Sequence, residues 1–120
     1  MSAPIETKED RRVFERFSAR FPVKFKDSRE DYGNDVFLRD ASASGARILT
    51  IERFFLEDQL SLEVELPDGG EPMVLNGRVV WAKSLDLSLW DIGLQFPQVN
   101  FLKIQRLFKL AEEIETDSSN

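Results

Sequence analysis

Two short stretches of this chain carry side chains suited to recognising phosphates and bases. The first is Arg11-Arg12-Val13-Phe14-Glu15-Arg16, with the spacing RxxxR from Arg12 to Arg16. The second is Asp40-Ala41-Ser42-Ala43-Ser44-Gly45, the pattern DxSxxG. Guanidinium forks match phosphate oxygens, and they match the O6/N7 edge of guanine equally well. A carboxylate accepts from the N1–H and N2–H₂ of a guanine, a serine hydroxyl donates to phosphate or base, and glycine lets a backbone approach closely. A simple anion site has little use for Asp40, whose charge repels the anion. A guanine nucleotide uses every part. Each motif also has a plainer reading. Two arginines four apart, a spacing repeated from Arg16 to Arg20, describe a solvated face. DxSxxG describes a turn in which Asp and Ser bond nearby backbone and Gly takes a positive φ.

The elements that must position these residues follow from periodicity. Alternating apolar and polar residues predict strands at residues 21–26, 35–39, 46–51, 60–66, 73–83 and 90–96. On the fifth, Leu75, Val79 and Trp81 share one face, which argues for Trp81 in the core. The polar run from Asp27 to Asn34 reads as a hairpin connection, and Pro67-Asp68-Gly69-Gly70 as a turn. After Pro97 the period lengthens from 2 to 3.6: Phe101, Ile104, Phe108 and Ala111, with Leu107 and Ile114 beside them, form one helical stripe. Glu112 and Glu113 suit a helix C-terminus poorly, so fraying is expected there. Six strands and one closing helix predict a mainly β fold, a small antiparallel barrel capped by that helix. Residues 1–10 and 116–120 read as disordered tails around one domain at 11–115. If the first two strands form an antiparallel hairpin, the start of one lies beside the end of the other. Arg12, Arg16 and Arg20 then come close to Asp40, Ser42 and Gly45.

Composition narrows the chemistry. The 120 residues include no Cys and no His, which removes disulfides, thiolate metal sites and the commonest general base. With no evident nucleophile–base pair, the chain is expected not to be an enzyme and to need no metal or cofactor. No apolar run approaches the length of a membrane span. The first ten residues are polar and acidic, unlike a signal peptide, so the cytoplasm is the expected compartment. Net charge is −6, yet residues 11–29 hold seven basic residues against two acidic ones. That contrast suits a local anion site, or a basic edge strand that discourages aggregation. An acidic body argues against an oligonucleotide-binding barrel and against DNA or RNA as partner. Phe54 and Phe55 belong either to the core or to an exposed patch for a partner.

Taken together, RxxxR, DxSxxG, the strand ending Ile92-Gly93-Leu94-Gln95-Phe96 and the C-terminal helix resemble the PilZ domain family. Arg20-Phe21-Pro22-Val23 looks like that family's first strand, and Gly77-Arg78-Val79-Val80-Trp81 like a later one. The resemblance covers roughly Arg11 to Ile114. It implies a six-stranded antiparallel PilZ-type β-barrel with a C-terminal α-helix that binds cyclic di-GMP at the barrel edge. It also implies roles. Arg12 and Arg16 would hold guanine edges and phosphates, Asp40 and Ser42 a second guanine, and Gly45 a tight turn. Arg11 goes with an intercalated pair of ligands in similar proteins, and Trp81 looks like an aromatic flanking the ligand. The segment Arg53 to Asp58 is bulkier than in many relatives. The expected mechanism is an arm carrying Arg11 to Arg16, loose through like-charge repulsion and scarce apolar anchors, that orders on the ligand and signals to a protein partner. The domain would act as a monomer or weak dimer. The alternative is a PilZ-like adaptor that binds protein and no nucleotide.

Overall fold

In the computed structural model, which describes residues 14–98 and 101–118 with side chains through Ile114, every expected strand forms. The strands are β1 (Phe17–Ser18), β2 (Pro22–Phe25), β3 (Val36–Ser42), β4 (Gly45–Thr50), β5 (Gln59–Val64), β6 (Met73–Asp86) and β7 (Leu89–Gln95). They are followed by the helix α1 (Phe101–Ser118). β1 was not expected from the pattern. It is too short to show a period, and it lies on β3 just ahead of β2.

The remaining six strands close into an antiparallel barrel. β3 pairs with β2, β2 with β5, β5 with β6, β6 with β7, β7 with β4, and β4 returns to β3. Closure leaves the six no free edge, which suits short strands with polar outer faces. Inward positions are filled by side chains such as Val23, Leu38, Ile48, Leu62, Val79 and Ile92, all fully buried. The hairpin of β2 and β3 forms as the pattern required, with Asp27 and Gly33 of its connection in the left-handed region.

Trp81 departs from expectation. Val79 faces Leu94 while Trp81 faces Gly93, so Val80 is an extra residue on β6. Such a bulge reverses the inside–outside phase of the strand beyond it. Leu75 and Val79 point inward, but Trp81 stands on the outer wall, 37% exposed. The core placement that its spacing suggested is therefore corrected. Beyond it, the β6–β7 hairpin projects past the barrel and ends at a fully exposed Leu87. Phe54 and Phe55 divide between the two readings offered for them. Phe54 packs edge-on against Phe25 at 5.3 Å, while Phe55 is exposed beneath the Arg53 guanidinium at 4.9 Å.

The helical stripe behaves as its period predicts. Ile104, Leu107, Phe108 and Ala111 are buried against the barrel core, and Ile114 lies outside it. Phe108 meets Phe17 of β1 edge-on at 5.1 Å. The backbone of α1 is helical through Glu112 and Glu113, where the charge pattern suggests fraying, to Ser118. Arg106 grips Asp68 in the β5–β6 turn through both carboxylate oxygens, at 2.8–3.0 Å, and Lys103 donates to the Val74 carbonyl at 2.8 Å.

The packing sets two expected outcomes. Leu107→Ala should lower stability by about 3 kcal/mol, whereas Leu102→Ala, on the exposed face, should change it by less than about 0.5 kcal/mol. Urea unfolding of both variants distinguishes a docked helix from a loose one. The Gly70 amide and the Arg106 guanidinium hold the Asp68 carboxyl below the usual carboxylate range. A lowered folded pKa contributes stability above the unfolded pKa, which is lost as pH falls through the folded value. Asp68→Asn should therefore melt below the parent at pH 7, and the gap should narrow as pH falls through the folded value, as thermal melts across pH would show.

Candidate functional site

Outward positions line up across the barrel wall. Ser18 on β1 pairs with Asp40 on β3, Asp40 with Arg47 on β4, Arg47 with Gly93 on β7, and Gly93 with Trp81 on β6. These cross-strand neighbours form one band on the outside of the barrel. Arg16 immediately precedes β1, and alternation puts Ser42 on the same face as Asp40.

The band is charged and ordered. Asp40 is buried, yet it is an outer-wall residue whose carboxylate is covered by two arginines. Oδ1 accepts from Arg16 Nη1, and Oδ2 lies 3.0 Å from Arg47 Nε. Arg47 Nε is also 3.7 Å from Oδ1 of Asp91, and Arg39 Nη1 is 3.7 Å from Asp91 Oδ2. Three guanidinium groups thus alternate with two carboxylates, Arg16–Asp40–Arg47–Asp91–Arg39. Buried carboxylates persist only when paired in this way.

The structure separates the two readings of DxSxxG. Ser42 follows the plain one: its Oγ accepts from the Ser44 amide at 3.3 Å and lies 3.2 Å from the Ser44 hydroxyl. Asp40 does not, since it sits within a strand and holds arginines instead of turn backbone. Gly45 is not in the left-handed region, so the positive φ expected of it is corrected. Glycine is required there for another reason. A Cβ at Gly45 would lie 2.3 Å from the Leu94 carbonyl oxygen, so a side chain would push β4 off β7. Gly93 has the same relation to Trp81, whose indole rests where a Cβ would be.

Of the sequence-derived candidates, Arg16, Asp40, Ser42, Gly45 and Trp81 stand on or beside this band. Arg11 and Arg12 lie outside the described residues. Arg20 does not join Asp40. It lines a neighbouring groove of about 430 Å³ with Arg39, Phe37 and Leu49. Phe14 stacks on Phe101 of α1 at 6.1 Å, and Phe17 packs on Phe108. Arg47, Asp91 and Arg39 escaped the sequence reading because no local motif contains them. The one available signal was the two-residue turn Ala43-Ser44, which puts Arg47 opposite Asp40 once β3 and β4 are taken as a hairpin.

This fold defines a small β-barrel domain with a charged, polar band on its outer wall. A family model described as the PilZ domain matches residues 10–112, and the chain belongs to that family. Among solved structures it is similar to the Bacillus subtilis inhibitor of motility, MotI/DgrA, with a TM-score of 0.58. The match covers 88% of this chain and 51% of that one, so this chain spans about half the length of that protein. At 14% identity the likeness is one of fold. No curated protein matches the chain. Among the described residues, no helix is long and apolar enough to cross a membrane, and no cluster of acidic side chains could hold a metal ion.

The close approach at Gly45 makes a direct prediction. Gly45→Ala should cost about 2 kcal/mol or more of folding stability, read by urea unfolding without any ligand. A parent-like midpoint would mean that β4 and β7 separate easily at that point.

Proposed function

We propose that this PilZ domain is a cyclic di-GMP receptor that binds the messenger on the Arg16–Asp40 band and relays it to a protein partner. The observation that carries the reading is the ion pair between Arg16 and Asp40. It joins the end of RxxxR to the start of DxSxxG, two segments 24 residues apart in sequence. Cyclic di-GMP presents two guanines and two phosphates, the mixture that guanidinium, carboxylate and hydroxyl groups together can satisfy. In this reading Arg12 and Arg16 take phosphate oxygens and a guanine edge. Asp40 accepts from N1–H and N2–H₂ of a base, and Ser42 donates nearby. Trp81, on the outer wall, supplies an aromatic face, and Arg11 belongs to a second ligand stacked on the first.

The relay follows from charge and tethering. In the free protein Asp40 holds Arg16. A bound nucleotide competes for both, drawing Arg16 to its phosphates and reordering the arm from Arg11 to Arg16. Phe14 and Phe17 connect that arm to Phe101 and Phe108, so α1 senses where the arm lies. A partner reads the arm and helix together. The domain works in this way without catalysis, metal or cofactor, as a cytoplasmic monomer or weak dimer.

Titration of the purified protein with cyclic di-GMP by calorimetry, with GTP and cyclic di-AMP as controls, tests the proposal. Micromolar or tighter selective binding is expected. Arg12→Ala and Arg16→Ala should each weaken it by about ten- to hundred-fold. If neither substitution changes affinity, the band is not the site. No heat and no thermal shift would instead favour the protein adaptor, for which Leu85 and Leu87, exposed on the β6–β7 hairpin, are the first residues to test.

A further inference from the structure

A guanine that takes Asp40 has to displace what already holds it. Both carboxylate oxygens are engaged, Oδ1 by Arg16 and Oδ2 by Arg47. The Arg16 side chain is half exposed and free to turn toward an incoming phosphate. Arg47 is in a different position, because its Nε is fully buried. The Arg47 side chain as a whole is 31% exposed, but its buried Nε would lose its nearest carboxylate oxygen, and binding would carry that cost.

Asp91 stands where it can remove the cost. Its residue is 6% exposed, and its Oδ1, also fully buried, lies 3.7 Å from Arg47 Nε. Neither atom makes a well-aligned hydrogen bond among the described residues, so Arg47 Nε is held to Asp40 at 3.0 Å as an ion pair only. A closure of under about 1 Å would bring the two into bonding range. The sheet register explains why the acceptor is there. Arg47 pairs with Gly93, and Asp91 is the diagonal neighbour two residues earlier on the same face of β7. Arg39, 3.7 Å from the other Asp91 oxygen, keeps this carboxylate charged company while Arg47 is on Asp40. Here donor and acceptor face each other without bonding.

We infer that Asp91 is a positioning residue of the nucleotide site, a standby acceptor that receives the Arg47 guanidinium when the ligand takes Asp40. The inference rests on the proposed cyclic di-GMP site. Exchange of Arg47 between two carboxylates, with Arg16 drawn away, frees both Asp40 oxygens for one base while keeping the buried Nε of Arg47 paired. Asp91 itself does not touch the ligand.

Two measurements test it, one with ligand and one without. By calorimetry with cyclic di-GMP, Asp91→Asn should weaken binding about ten-fold, with a near-parent melting temperature. In an Arg47→Gln background the same substitution should change affinity by less than two-fold, because no guanidinium then needs rehousing. Equal losses in both backgrounds would overturn the exchange and leave Asp91 a general structural residue. The second measurement is the Arg47 Nε–H signal in ¹⁵N NMR of the ligand-free protein. In Asp40→Ala it should stay protected from solvent exchange, now held by Asp91, and it should be lost in Asp40→Ala/Asp91→Asn. An exposed Arg47 signal in Asp40→Ala alone overturns the inference, whether or not the double variant folds. If the parent protein binds no cyclic di-GMP, the functional reading fails separately, and the spectrum still decides whether Asp91 receives Arg47.

Discussion

Closure of the barrel through β4 is the constraint on which the other features depend. β4 must pair with β3 on one side and β7 on the other, and it reaches β7 only because Gly45 has no side chain to meet the Leu94 carbonyl. The same double pairing puts Arg47 between Asp40 and Gly93, with Asp91 on the diagonal. A polar band on the outer wall is thus a by-product of the register that seals the core. Moving β4 by one residue would turn Arg47 inward and Ile48 outward, which neither the core nor the site tolerates.

A second dependence links the band to the helix. Phe17 faces inward from β1 onto Phe108, while its neighbours Arg16 and Ser18 face the band. One two-residue strand therefore contacts both the charged band and α1. The helix is fixed at its other side by Arg106 on Asp68 and by Lys103 on the Val74 carbonyl.

The bulge at Val80 shapes the far end of the band. Without the extra residue Trp81 would continue the inward row of Leu75 and Val79, and the outer wall would lose its aromatic surface. Gly93 completes the arrangement, since only a bare Cα leaves room for the indole against β7. Bulges recur where a strand has to re-aim a side chain, and this one aims the largest residue of β6 at the charged band.

Much of this protein was legible in its sequence. Strand existence, the helical stripe and the closing barrel followed from periods of 2 and 3.6, because side-chain direction along an element is a local property. The proximity of Arg16 and Asp40 followed from assuming one hairpin, and the PilZ resemblance followed from the two motifs in order. Other features depended on long-range register. Trp81 on the wall needed the bulge against β7. The requirement for Gly45 needed the Leu94 carbonyl, some fifty residues away in the chain. The alternating chain through Arg47, Asp91 and Arg39 unites residues from three strands that no motif connects. Local spacing determines which way a side chain points from its own strand. Which charge it meets there is decided only when the sheet closes, because closure sets every cross-strand neighbour at once.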